Sequence, residues 1–480
     1  MSGMTAAIYC LRSGFDVTVY EQHSRSGGLC TGWKRQGFTF EGALHWLNDS
    51  NEADPMYRLW HDTGILEDGV KTYRGDPYCV YDHQGTKINL YRDLDKLKDH
   101  LLEISPDDEK AIKMLYGDVQ TLRPIRIPIM DIPGLKARYK SRLDIPALLK
   151  MAPVISKMKR LSAFSALEYA AAFKHPAMRK AIGQIIVNKE FGSFSLLHTM
   201  ANFMKSGVYP EGGSFGASER MEKKINSMGG RILFNTKVDR VIIENRQARG
   251  LEIQGEKFLF DAVIVSQDLL TVDKLLHEMP GDRWVRAAKS NPPIQSTFAS
   301  IGVRANLTDA PFCFIFDESI NAGGIQYDTI SIRNYAAHTN YAPSGCTALT
   351  SQFIGDSYDF WNDQKQRGTY GEQKQQFADE LKCLLEKYMP QLSGKIEILD
   401  VATPLSYERY TGAYRGAWMT VMPKDRMSGL PSVVSSEYKK LYFIGFRTKV
   451  PGGLPIALVS GFRAAQYACR DHDMVFEGQV

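Results

Sequence analysis

The sequence predicts an α/β fold in which an alternating helix–strand domain, split into separate pieces, is interleaved with a mixed-sheet domain and a helical subdomain. Three observations predict it. The chain opens in the order helix, strand, acid within residues 4–21. Runs of β-branched residues and glycine turns return between Pro210 and Ser266. A last strand, a Gly/Pro loop and a helix of small residues follow between Leu441 and Arg470. Such alternation suits a sheet covered by helices.

The elements follow in order. Met4, Ala7, Ile8 and Leu11 recur at helical spacing, and Gly14 is a helix stop. Phe15–Tyr20 reads as a short buried strand, with Glu21 directly after it. Residues 77–91 predict a hairpin turning near Gln84-Gly85. Ser105-Pro106-Asp107-Asp108-Glu109 has the cap, the proline and the acids of a helix start. From there to Met204 the pattern is mostly helical, interrupted by prolines at 124, 128, 133, 146 and 153. A helix is expected over Ala217–Ser227, ending at Gly229-Gly230. Strands are expected at 232–234, 238–244, 248–254 and 260–266. Block 295–411 holds the strand-like runs STFASIGV, TISIRNY and TALTSQFIG. The chain finishes with a strand at 441–445 and a helix over 456–470.

Composition sets the bounds. The 480 residues are 44% hydrophobic and 24% charged, a globular balance sufficient for large cores. No apolar run is long enough to predict a spanning helix, and the opening MSGMTAAIYC lacks a signal-peptide pattern. Seven dispersed cysteines without C-x-x-C argue for a reducing, cytoplasmic setting and against a disulfide framework. Ten dispersed histidines give no metal-binding pattern, so no metal is expected. The net charge of +5 is concentrated: residues 121–160 carry +8 and the remainder −3. One local basic stretch does not predict a nucleic-acid partner.

The opening has the layout of a dinucleotide-binding motif. In G-x-G-x-x-G the glycines bring backbone to a pyrophosphate at a helix N-terminus, and an acid about 20 residues on takes the ribose hydroxyls. Gly3 and Glu21 match the last glycine and the acid. The motif's first strand and first two glycines are not in the sequence, and roughly 10–15 further residues, one strand plus a turn, are expected ahead of Met1. No second G-x-G-x-x-G follows a strand, so a dedicated nicotinamide-nucleotide domain is not expected.

Three further segments carry a resemblance. Glu21-Gln22-His23-Ser24-Arg25-Ser26-Gly27-Gly28-Leu29 resembles the E-x-x-x-R-x-G-G element of the flavin-dependent amine oxidase and phytoene desaturase superfamily. Gly445 through Pro451-Gly452-Gly453-Leu454-Pro455 resembles the loop that closes the flavin site in phytoene desaturases and carotenoid isomerases. Tyr209-Pro210 through Val238, and Thr403 through Gly416, resemble further parts of the carotenoid and retinoid branch. The resemblance implies FAD as cofactor and a discontinuous Rossmann-like FAD-binding domain over 1–75, 207–290 and 430–480. It implies a substrate domain over 76–206 and 291–429, with a helical subdomain at about 105–205. It implies hydride transfer between flavin N5 and a carbon of a long apolar polyene or isoprenoid, by desaturation, saturation or isomerisation. The electron partner (oxygen, quinone or nicotinamide nucleotide) stays open.

Carried residue by residue, the resemblance implies cofactor contacts at Gly3, Glu21, His23, Arg25, Gly27, Gly28, Leu29, Val238, Gly445, Pro451, Gly452, Gly453, Leu454 and Pro455. Many members have arginine where this chain has His23 and Leu29, which makes Arg25 the better cation. Phe40-Glu41-Gly42-Ala43-Leu44-His45-Trp46 stands where members run beside the flavin ring. His45 and Glu41 are the catalytic candidates, with a packing role as the other reading. Histidine's usual pKa lets it change charge at working pH. The basic stretch 121–160 is either a peripheral contact to an anionic membrane, with Ile127, Ile129, Met130, Leu135, Leu148, Leu149, Met151, Val154, Ile155 and Met158 reaching lipid, or a solvated helical lid. Two other classes stay open: an amine oxidase-like enzyme on a smaller substrate, and a truncated, inactive protein without flavin.

Overall fold

The computed structural model describes residues 1–126, 129–138, 152–184, 191–421, 432–449 and 452–478. Its first helix, Ser2–Arg12, packs along the last, Leu454–Asp471. Gly461 permits the approach: a Cβ there would stand 3.0 Å from the Ala6 nitrogen and nearer still to the Ser2 carbonyl. Tyr9 closes the seam edge-on against Phe462, ring centres 4.9 Å apart.

Two parallel strand pairs flank these helices. Thr18–Tyr20 pairs with Arg231–Leu233, and Val263–Val265 pairs with Leu441–Phe443. The second edge of Leu441–Phe443 is taken by the Val433 carbonyl, which accepts from the Phe443 amide at 2.8 Å. Among the described residues no strand pairs with the second edge of Thr18–Tyr20 or of Val263–Val265. Both strands line one cavity. The two pairs are separate sheets, without the central strand that the opening motif is expected to use.

A seven-stranded mixed sheet forms the second layer. Its order is Ile396–Ala402, Ser296–Val303, Thr347–Ile354, Ile330–Asn334, Cys313–Phe316, Cys79–His83, Thr86–Leu90. Only the pairing of 313–316 with 79–83 is parallel. It docks an early hairpin onto a late meander, joining pieces more than two hundred positions apart. Gln84 (φ 50°) and Gly85 (φ 90°) make the predicted hairpin turn. Helices at 94–104, 109–122, 152–162, 166–170, 176–184 and 193–206 pack into a third core beside the hairpin.

The boundaries differ from the sequence expectation where tertiary contacts decide. The strand expected at Phe15 begins at Thr18. The helix expected at Ala217 begins at Gly213, because a distant carboxylate caps its amino end. A tight hairpin, Gly32–Arg35 with Phe38–Glu41, turns on Gln36 (φ 48°) and Gly37 (φ 83°), both left-handed as such a two-residue turn requires. It delivers Glu41 and the loop after it to the junction of the layers.

Candidate functional site

A cavity of about 2160 Å³ lies between the layers. It is lined by Met1–Met4, Glu21, His23, Arg25, Gly27, Gly28 and Leu29 from the opening, and by Val238. Gly445, Gly452, Gly453, Leu454 and Pro455 line it from the other end of the chain. Of the candidate cofactor residues only Pro451 lies outside the described residues. The helices beginning at Ser2 and at Leu454 both start at the cavity, and such ends favour anions and electron-rich atoms.

Backbone bonding brings Glu21 and Val238 together. The Glu21 amide donates to the Leu233 carbonyl, the Thr236 amide to the Glu21 carbonyl, and the Asn235 amide to the His23 carbonyl, at 2.9–3.0 Å. The Glu21 carboxylate takes the His23 amide at 2.8 Å through Oε1, its one donor among the described residues. The His23 ring stands edge-on to Tyr410, and the Arg25 guanidinium lies over the Phe215 ring. Gly28 (φ 60°) and Gly445 (φ 132°) have open space where a Cβ would project. The cradle therefore has room for a ligand beside bare backbone, the fit that a dinucleotide needs.

The loop after Glu41 follows from that carboxylate. Glu41 is buried and does not line the cavity. It accepts from the Ala43 amide (2.9 Å), the Leu44 amide (2.8 Å), the Tyr209 hydroxyl (2.7 Å), the Ser214 amide (2.8 Å) and the Ser214 hydroxyl. A carboxylate so saturated has no lone pair left for chemistry. These contacts are in keeping with the packing reading of Glu41: its carboxylate bonds the Gly42–Leu44 loop and caps the helix starting at Gly213.

His45 does line the cavity. The Arg333 Nε–H donates to His45 Nδ1 at 3.1 Å, so the proton of the neutral ring sits on Nε2. Burial, then the Arg333 charge, lowers its pKa to about 3. Burial thus works against the change of charge at working pH that its usual pKa would allow. Arg333 also donates Nη1–H to the Tyr78 hydroxyl at 3.1 Å. These contacts span 288 and 255 positions, and sequence reading missed Arg333 altogether.

A second missed pair braces the carboxy-terminal loop. Arg447 donates Nε–H to Asp268 at 2.5 Å, with both side chains 2% exposed. Asp268 also accepts from the Tyr414 amide at 2.9 Å. One carboxylate thereby ties 266–268, the 414 turn and the loop after Gly445. The only sequence signal was Arg447's place inside the Gly445–Pro455 run.

In the basic stretch, five of the seven described cations meet acids. Lys157 and Arg160 converge on buried Asp118, Arg126 meets Asp54, Lys136 meets Asp473 and Arg138 meets Glu477. Leu135 and Val154 are buried and Met158 lines the cavity, against the expectation that they reach lipid. Ile155 and Met130 are exposed. Ile127, Leu148, Leu149 and Met151 lie outside the described residues. Among the described residues no helix is long and apolar enough to cross a membrane.

Residues 1–469 match the family described as flavin containing amine oxidoreductase. A lycopene-forming phytoene desaturase of Pseudescherichia vulneris is 23% identical, covering 98% of this chain and 97% of its own. An all-trans-retinol 13,14-reductase of Danio rerio is 22% identical over 87% of this chain and 75% of its own. The solved cyclohexylamine oxidase of Brevibacterium oxydans has a TM-score of 0.59 at 14% identity, covering 98% of this chain and 97% of its own.

Proposed function

The chain belongs to the flavin containing amine oxidoreductase family and is an FAD-dependent oxidoreductase, and we propose that its substrate is a long apolar polyene or isoprenoid whose C=C bonds are desaturated, saturated or isomerised. One observation carries the reading. The cavity is about 2160 Å³, beyond the roughly 300–1,000 Å³ of a usual ligand site, and it continues from the nucleotide cradle along the face of the mixed sheet. Ile125, Met158, Phe194, Ile294, Ile315 and Trp418 give its far section apolar walls. Relatives named for phytoene and for retinol are in keeping with such a substrate.

In this reading Glu21 takes the ribose hydroxyls and Val238 the adenine, while Gly3 and the start of its helix face the pyrophosphate. Arg25, with His23, Gly27, Gly28 and Leu29, borders the phosphates. Gly445 and Pro451–Pro455 border the ring system. Bound FAD supplies the hydride acceptor or donor, and the chain supplies orientation and exclusion of water. Glu41 holds the Gly42–Trp46 loop in place. His45, held by Arg333 and Gln352, keeps a fixed neutral ring in the cavity wall. The exposed Ile155 and Met130, near basic side chains, form a peripheral contact with an anionic membrane, the phase in which such substrates dissolve.

The test is incubation of the FAD-loaded protein with carotenoids, retinoids, unsaturated lipids and simple amines, with and without oxygen. The reading predicts an absorbance shift of a polyene substrate. Flavin bleaching by amines alone contradicts it.

A further inference from the structure

The cavity wall formed by the mixed sheet is not uniformly apolar. Strands present alternate residues to one face. Ser331 and Arg333 from Ile330–Asn334, with Thr350 and Gln352 from Thr347–Ile354, all line the cavity. The intervening Ile330, Ile332 and Leu349 fill the core behind. Four polar side chains thus form a patch on this sheet wall of the cavity, beside the loop that carries His45.

Arg333 stands at its centre. Among the described residues no carboxylate lies within ion-pair distance of its guanidinium. Two other little-exposed arginines discussed above each have one: Arg447 has Asp268 and Arg126 has Asp54. The guanidinium has five N–H donors, and its two protein oxygen or nitrogen acceptors are His45 Nδ1 and the Tyr78 hydroxyl. Both partners are neutral: His45 is held so by burial, and burial pushes the Tyr78 phenol up. The Cys313 thiol, drawn down by its hydrogen bond with Cys79 and then by the Arg333 charge, pairs across the strands with Arg333 and bonds Ser331 and Arg333 without lining the cavity. Holding a cation away from water without a carboxylate partner is costly. The arrangement suits a partner that arrives with the ligand. The planar fork matches a carboxylate, and hydroxyls and an amide flank it.

We propose that Arg333, with Ser331, Thr350 and Gln352, forms a carboxylate-binding subsite, and that the substrate is an apolar polyene bearing a carboxylate rather than a plain hydrocarbon. This rests on the polyene reading above and narrows it. The carboxylate fixes the register of the chain in the cavity, and with it the bond that lies against the flavin.

The test compares all-trans-retinoic acid with all-trans-retinol, a matched pair differing at the head group. Dissociation constants are read on the FAD-loaded protein from quenching of tryptophan emission, with Trp33 and Trp46 in the cavity wall as reporters. The acid is expected to bind at least about 10-fold tighter than the alcohol, the worth of a charged hydrogen bond. Arg333→Gln is expected to bring the acid to the alcohol's affinity, leaving the alcohol and the FAD content unchanged. Arg333→Lys is expected to keep part of the preference, which guards against a folding defect in the first variant. Equal affinity of acid and alcohol in the unaltered protein overturns the subsite and leaves the polyene reading standing. Binding of neither overturns both. Loss of FAD from Arg333→Gln would place the guanidinium on the cofactor and overturn the substrate assignment.

Discussion

The carboxylate of Glu41 accepts both the backbone amide and the hydroxyl of Ser214, a residue 173 positions away. That contact welds the loop after Glu41 to the amino end of the helix Gly213–Ser227. A Cβ on Gly213 would collide with the same carboxylate and with the Tyr209 and Tyr341 hydroxyls. Glu41→Gln replaces one of the two acceptor oxygens with an NH2 group that faces donors. It should destabilise the protein by about 3 kcal/mol, read from urea unfolding. Unchanged stability would remove the anchoring role.

Asp268 and Arg447 make a buried pair whose partners are unequal in what their loss leaves behind. Asp268→Ala leaves the guanidinium uncompensated and should cost about 3–5 kcal/mol. The double variant with Arg447→Met should recover much of that loss. A double-mutant cycle on thermal or urea unfolding checks this, and additive losses would show that the pair is uncoupled.

His45 has a folded-state pKa of about 3, below its usual 6.5. The unfolded chain therefore binds a proton that the folded chain does not, between those two values. The contribution to stability is full above pH 6.5 and is lost as pH falls toward 3. His45→Asn should flatten the acid side of the stability profile through that window, measured by unfolding at stepped pH. An identical slope in both proteins would contradict the neutral assignment.

The exposed Ile155 and Met130 and the basic stretch around them set a further expectation. Binding to anionic liposomes should fall as salt rises, since screening acts over about 10 Å at 0.1 M. Ile155→Asp should weaken it. Sedimentation with vesicles reads both, and absence of binding at low salt would leave the stretch as a lid.

Local chemistry was legible in the chain. The Met4–Leu11 spacing, the Gln84-Gly85 turn and the strands Ser296–Val303 and Thr347–Ile354 all follow from period and turn residues. What escaped reading was tertiary. Glu41 has the same letter whether it is a base or an anchor, and only five converging donors decide. Arg333 reaches His45 across 288 positions, and Arg447 reaches Asp268 across 179, with no periodicity to announce either. The helix at Gly213 starts early because its cap comes from another segment, which a Gly-Gly pair alone reads as loop.

Glu21 offers a graded check on the cofactor cradle. Its carboxylate has a single donor among the described residues and faces the cavity. Glu21→Ala should weaken FAD retention by about 1–3 kcal/mol, read as flavin content after dialysis. Full retention would take the ribose contact away from Glu21.

The most direct measurement is the identity of the nucleotide freed when the purified protein is denatured. Convergence of Gly3, Glu21–Leu29, Val238, Gly445 and Gly452–Pro455 on one cavity predicts FAD, at one molecule per chain. Release of FMN, or of no flavin, would contradict the account at its base.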